Sequence, residues 1–253
     1  MNVAPIGLVA AMREELAALL AELPTATASR VGGRDFWTVS WHGQPLVVVL
    51  SGIGKVAAAT TATALIERFG VGAIVFTGVA GGLASGARVG DLVVARHLLQ
   101  HDLDASPLFP RFEVPLTGMS RFATDAALSD ALVQAAQAAL ETVRQTLPPT
   151  EWLGLDLHAA RVHEGLIVSG DRFVSTHRER AALVQALPDA LAVEMECAAM
   201  AQVCHDYGVP LAALRTISDQ ADDQATVDFL RFIRHIASRY SAAVVGHWLR
   251  ARA

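Results

Sequence analysis

Apolar positions along the chain change period repeatedly, and each change marks an element. Pro5–Ala10 is a short unbroken apolar run, the pattern of a strand buried on both faces. From Met12 to Leu23 the period becomes helical, with Leu16, Leu19, Leu20 and Leu23 on one stripe. Phe36–Trp41 and Pro45–Leu50 read as two strands of a hairpin around His42-Gly43-Gln44. An Ala-rich helix follows over Lys55–Phe69, then strands at Ala73–Thr77 and Asp91–Ala95. Residues 102–124 hold three prolines and three aromatics without a period, so they read as a long loop. Asp125 reads as the N-cap of a helix carrying Leu128, Leu132, Ala136 and Leu140 on one face. Pro148-Pro149 ends that helix inside an irregular insertion over 147–160.

The second half continues the alternation. It predicts strand Gly165–Ser169, helix His177–Leu187, strand Leu191–Val193, helix Cys197–Tyr207, strand Leu211–Ile217 and one last helix ending near Trp248. Alternating strands and helices predict a single α/β domain over residues 1–253, with a central sheet flanked by helices on both faces and mostly parallel strand pairs. Ligands in such folds collect at the carboxyl ends of strands.

Composition narrows the function classes. Hydrophobic residues are 53% of the 253 positions and charged residues 18%, which excludes a disordered chain and implies an interior buried on several sides or extra surface hidden between subunits. With a net charge of −5 and no basic run, nucleic acid is a poor partner. The uncharged stretch Phe69–Ala87 holds six glycines and begins as a strand, so no membrane span is expected. Glu14 and Glu15 follow the first apolar run closely, and no basic region precedes it, unlike a secretory signal. Cys197 and Cys204, the only cysteines, lie about 10 Å apart if they share a helix, too far to bridge. A cytoplasmic protein is the expectation.

Three carboxylates, Glu15, Glu196 and Asp219, sit where a strand hands over to a loop or helix. Each alone has a structural explanation. A helix dipole accounts for Glu15 and Glu196, and a turn cap accounts for Asp219. Gly52-Ile53-Gly54-Lys55 lacks the spacing of a P-loop, and with Gly78-Val79-Ala80-Gly81-Gly82 it reads first as a tight strand-to-helix turn. His97 and His101, followed by Asp102 and Asp104, lack the Glu of a zinc-protease helix, so no metal is expected. No Gly-x-Ser-x-Gly elbow is present, which argues against that class of hydrolase.

Together the pieces say more. Met12-Arg13-Glu14-Glu15, Ser51-Gly52-Ile53-Gly54-Lys55, Thr77-Gly78-Val79-Ala80-Gly81-Gly82, Gly165-Leu166-Ile167-Val168-Ser169-Gly170-Asp171, Val193-Glu194-Met195-Glu196 and Arg215-Thr216-Ile217-Ser218-Asp219 occur in that order. This set resembles the nucleoside phosphorylase/nucleosidase superfamily, and within it the 5′-methylthioadenosine/S-adenosylhomocysteine nucleosidases. The resemblance runs from about residue 5 to the last helix. It implies a nucleoside phosphorylase-like fold, a cofactor-free hydrolase of purine nucleosides, and a homodimer.

Carried over by position, it implies Glu15 as the base that activates water at C1′ and Asp219 as the acid that protonates N7 of the leaving adenine. Glu196 would hold the ribose hydroxyls, Met195 would pack under the sugar, and Arg215 and Ser218 would belong to the same polar cluster. Phe173 would stack on the purine while the backbone of Val174 reads its edge. Met12, Ile53 and Phe229 would surround the 5′-alkylthio group. Val79 stands where many bacterial members have Ser. The loop Ala105–Pro115 also departs from the family, and Leu103, Leu108, Phe109 and Phe112 are candidates to close over the 5′ substituent of a neighbouring subunit.

The chemistry explains the residue types. Cleaving an N-glycosidic bond leaves positive charge on the sugar and negative charge on the base, so one acid must be ionised and the other protonated. A neutral Asp219 therefore requires burial or like-charged neighbours. A purine nucleoside phosphorylase is the rival, with Arg13, Lys55 and Arg88 as possible phosphate partners. A nucleosidase for another purine nucleoside such as futalosine is a second, and a non-catalytic nucleoside-binding relative a third.

Overall fold

The computed structural model describes residues 3–146 and 159–252. Residues 147–158 of the expected insertion therefore lie outside the described residues. In chain order the first half holds β1 (Ile6–Ala10), α1 (Arg13–Glu22), β2 (Thr27–Val31), β3 (Arg34–Trp41), β4 (Gln44–Leu50), α2 (Lys55–Phe69), β5 (Ala73–Gly82) and β6 (Leu92–Gln100). The second half holds β7 (Phe122–Ala123), α3 (Ala126–Thr146), β8 (Val162–Ser169), α4 (His177–Ala186), β9 (Ala190–Glu194), α5 (Cys197–Tyr207), β10 (Leu211–Asp219), α6 (Ala225–His235) and α7 (Ala237–Arg250).

The strands form one sheet in the order β10-β6-β8-β9-β5-β1-β4-β3-β2, with β7 on β6. A further pairing of β10 with β5 closes β5, β10, β6, β8 and β9 into a ring. Both faces are buried, and the period of two decides which residue meets which layer. Leu8, Val48, Val75 and Leu214 point to one face, where they meet Leu16, Leu19, Leu132, Leu140, Val244 and Trp248 from α1, α3 and α7. Their neighbours Val9, Val47, Phe76 and Ala213 point the other way, onto Ala58, Ala62 and Leu65 of α2 and Ala198, Met200 and Ala201 of α5. Fully buried strands explain why these segments read as unbroken apolar runs. No helix among the described residues is long and apolar enough to cross a membrane.

The mixed sheet between two helical layers matches the sequence reading, and several details correct it. Parallel pairs are not the majority. Besides the parallel pairs β1–β4, β1–β5, β10–β5, β6–β8 and β8–β9, antiparallel pairs join β10–β6, β2–β3, β3–β4, β5–β9 and β6–β7. The β2–β3–β4 hairpins, β7 on β6, and the β10–β6 and β5–β9 pairs inside the ring account for the difference. Gly78–Gly82 is not a turn but the end of β5. The expected last helix is two helices, which meet at Ile236. β2 escaped the sequence reading because four of its five residues are exposed and carry no apolar alternation.

Candidate active site

β1 delivers the chain to Ala11 and Met12, and Glu15 falls in the first turn of α1. Its Oε2 accepts from the Ala11 and Met12 N–H groups at 2.8 Å each, and Oε1 accepts from Val79 N–H at 3.0 Å. Glu15 thus caps its own helix and binds it to the end of β5. Burial pushes the carboxyl above its ordinary range, against the charge of Arg215 and the three N–H groups. A base whose pKa is moved toward neutrality is a better proton acceptor.

Asp219 ends β10, just past a register shift between Ile217 and Asp219. Its Oδ2 accepts from the Ser218 hydroxyl at 2.8 Å and its Oδ1 from the Ala221 N–H at 2.9 Å. Burial, and then the like charges of Asp228 and Asp222, push the carboxyl up to about 6. Burial was the condition the acid role imposed on this residue.

The glycines of β5 make room for both acids. A Cβ at Gly78 would stand 2.6 Å from Glu15 Oε1, and one at Gly81 would stand 2.9 Å from Asp219 Oδ1. Both contacts are closer than real Cβ atoms reach. The two glycines are three residues apart, so the strand spaces the acids along roughly 10 Å of backbone.

Between them lies a second cluster at the end of β9. Glu194 is buried and accepts from the Arg215 guanidinium at 2.7 Å, from the Ser169 hydroxyl, and from the Cys197 N–H at 3.0 Å. Burial acts to raise its pKa, but Arg215 and the Ser169 hydroxyl hold it below the ordinary range. Glu196 accepts from Gly54 N–H at 2.8 Å. Burial and then the charge of Glu194 push its carboxyl up to about 8. One guanidinium thus faces three carboxylates, of which Glu194 is held down and Glu15 and Glu196 are pushed up.

A cleft of about 230 Å³ opens among these groups. Glu15, Asp219, Met12, Ile53, Val79, Phe173, Met195, Glu196, Ser218 and Phe229 all line it. Phe173 and Phe229 meet edge to face at its mouth, with ring centres 5.6 Å apart. Two of the expected residues, Val174 and Arg215, are not on the wall of this cleft itself. Val174 lines a small adjoining cavity with Asp219 and Phe173, and Arg215 does not reach the cleft wall but lies behind it on the Phe76 ring, 4.2 Å from its centre. Ser218 lines the cleft and also donates to Asp219.

Sequence reasoning gave no role to Glu194 or Ser169. The signal was available: Glu194 and Glu196 close a buried strand, and Arg215 interrupts an apolar one, so each required the other. None of Leu103, Leu108, Phe109 and Phe112 lines the cleft of its own chain. His97 lies on β6, and His101 packs against Gly170. Among the described residues no group of three or more His, Cys, Asp or Glu side chains could hold a metal ion.

Residues 5–250 match the family model described as "Phosphorylase superfamily". The chain belongs to the phosphorylase superfamily. Among members of the superfamily, the 5′-methylthioadenosine/S-adenosylhomocysteine nucleosidase of Anoxybacillus flavithermus is 36% identical over 96% of each chain. The nucleosidase of that name from Shewanella piezotolerans is 35% identical over 90% of this chain and 91% of its own. The likeness drawn from the six motifs thus holds over the whole chain. Among solved structures of the superfamily, that of the Neisseria meningitidis nucleosidase in complex with methylthio-immucillin-A has a TM-score of 0.85 at 32% identity, covering 98% of this chain and 100% of its own. The futalosine hydrolase of Helicobacter pylori has a TM-score of 0.84 at 33% identity, covering 98% of each.

Proposed function

We propose that this member of the phosphorylase superfamily hydrolyses the N-glycosidic bond of 5′-methylthioadenosine and S-adenosylhomocysteine, releasing adenine and the 5′-thio-ribose. One observation carries the reading: Glu15 and Asp219 line a single cleft to which no Lys or Arg among the described residues contributes. In this reading Glu15 takes a proton from water as its oxygen bonds to C1′. Asp219 gives its proton to N7 as the C1′–N9 bond breaks, and solvent restores both groups afterwards. Glu196 holds the ribose hydroxyls, Met195 packs under the sugar, Phe173 stacks on the purine beside the Val174 backbone, and Met12, Ile53 and Phe229 enclose the 5′ substituent. With its pKa near 6, roughly one Asp219 in ten carries the proton at pH 7 before substrate binds. A purine that displaces water from the cleft raises that fraction.

Phosphorolysis fits the cleft poorly. A phosphate beside ionised Glu15 would meet about 4 kcal/mol of repulsion per pair of unit charges at 4 Å and an effective dielectric near 20. The cations that might offset it are placed elsewhere: Lys55 is paired with Asp102 at 2.6 Å, and neither Arg13 nor Arg88 lines the cleft. Futalosine hydrolysis is the second reading, favoured by the likeness to the Helicobacter pylori enzyme, because an acid at N7 serves a 6-oxo purine as well.

The same reading makes the protein a cytoplasmic homodimer of methionine salvage. Exposed Leu108, on the loop expected near the subunit contact, and Leu116 just after it support the dimer. The test is to mix the protein with 5′-methylthioadenosine, S-adenosylhomocysteine or futalosine in phosphate-free buffer and follow the released base. Adenine from the first two is expected, and release only after phosphate is added would overturn hydrolysis.

A further inference from the structure

Beside the cleft, three segments distant in sequence are joined by charges that the proposed reaction does not use. The Lys55 ammonium donates to Asp102 Oδ1 at 2.6 Å. Asp102 Oδ2 accepts from Asp171 N–H at 2.8 Å, and Asp171 Oδ1 accepts from Lys55 N–H at 2.7 Å, which closes a ring. Lys55 and Asp102 are mostly covered, their side chains 17% and 30% exposed. His101 packs its ring onto Gly170 next to them, where a Cβ would fall inside the imidazole. The ring has two outlets toward the cleft. Gly54, one residue before Lys55, gives its N–H to Glu196, and Phe173 lies two residues after Asp171.

We infer that Lys55, Asp102 and Asp171 are positioning residues, a clamp that fixes the Gly54 N–H against Glu196 and the Phe173 segment over the cleft, so that ribose and purine meet a preformed wall. None of the three touches the reacting atoms. Burial acts to raise the Asp102 carboxyl, and the Lys55 ammonium and Asp171 N–H outweigh it and hold Asp102 below its ordinary range. The clamp also pairs Lys55, the residue after the glycine loop, with a carboxylate outside the cleft. Preorganisation of this kind acts on binding more than on the chemical step.

The effect on substrate rests on the nucleosidase reading, so the test has two arms. Lys55→Met and Asp102→Asn keep side-chain size and remove charge, and Lys55→Arg keeps the charge. In the first two, amide exchange at Gly54, Lys55 and Asp171 should speed up about tenfold, with melting temperature close to wild type. KM for 5′-methylthioadenosine should rise about tenfold while kcat stays within about threefold, and the double variant should add little to either single. Lys55→Arg should restore most of the protection and of KM. Unchanged exchange at those amides overturns the clamp, and faster exchange with unchanged KM overturns its positioning role. If wild-type protein releases no adenine, the nucleosidase reading fails instead, and the exchange arm decides the clamp by itself.

Discussion

Glu15 and Asp219 are buried alike, 3% and 1% exposed, yet their partners differ in kind. Glu15 receives three backbone N–H groups and lies in the field of a buried guanidinium, so its surroundings are arranged for an anion. Asp219 receives one N–H and one hydroxyl, and its charged neighbours are Asp222 and Asp228. Burial moves both pKa values upward, and the groups that oppose it differ: a guanidinium and three N–H groups for Glu15, one N–H and one hydroxyl for Asp219. The contrast teaches that one cleft can give two equally buried acids different surroundings, N–H groups and a guanidinium for one, and fewer donors with carboxylates nearby for the other.

The largest way to break the comparison is to neutralise each acid. Asp219→Asn and Glu15→Gln should each lower kcat for 5′-methylthioadenosine by about a thousandfold, within the range of a lost acid or base. Their stabilities should move in opposite directions. An Asn amide at 219 can donate to the Ser218 hydroxyl and accept from Ala221, and it removes a buried charge. Because the folded pKa of Asp219 is raised, its contribution to stability is full below about pH 4 and lost as pH rises through about 6. Asp219→Asn should therefore be more stable than wild type by about 1–3 kcal/mol at pH 8, and not at pH 4, in urea unfolding. A Gln amide at 15 likewise relieves the burial of a charge, but it turns N–H toward N–H among three donors, and that loss should outweigh the relief by about 1–2 kcal/mol. Opposite signs in the two variants would sharpen the contrast, and equal signs would erase it.

Next in size is the space the acids occupy. Gly78→Ala sets a methyl group against Glu15 Oε1 and 3.2 Å from Arg215 Nη1, and should cost about 1–3 kcal/mol of stability together with most of the activity. The pH dependence comes next. If the proposed acid role of Asp219 holds, kcat/KM should fall about tenfold per unit as pH rises beyond about 6, and a flat profile from 6 to 9 would contradict that role. Val79→Ser should have the smallest effect. It returns a hydroxyl to the cleft wall beside Glu15, and steady-state assays should register no more than about a tenfold change in kcat/KM.

The apolar runs of β1, β5 and β10 made the central strands readable, because strands buried on both faces carry no polar alternation. The acids were readable only through the resemblance carried by six ordered motifs, since each alone has a structural explanation. Gly78–Gly82 misled the reading: glycine usually marks a turn, whereas here it marks carboxylates pressed against a strand. Arg215 could be assigned to the polar cluster, but not placed behind the cleft, because its partner Glu194 arrives on another strand. Long-range pairing also hid the ring closure of β10 on β5, and the polar face of β2 left its pattern without a signal.

The measurement that bears most directly on the paired acids is a crystal structure of the Glu15→Gln protein with 5′-methylthioadenosine intact in the cleft. A water held between residue 15 and C1′, with the Asp219 carboxyl within hydrogen-bond reach of N7, is the predicted result. A nucleoside seated so that neither side chain lies within a water's breadth of its reacting atom would contradict it.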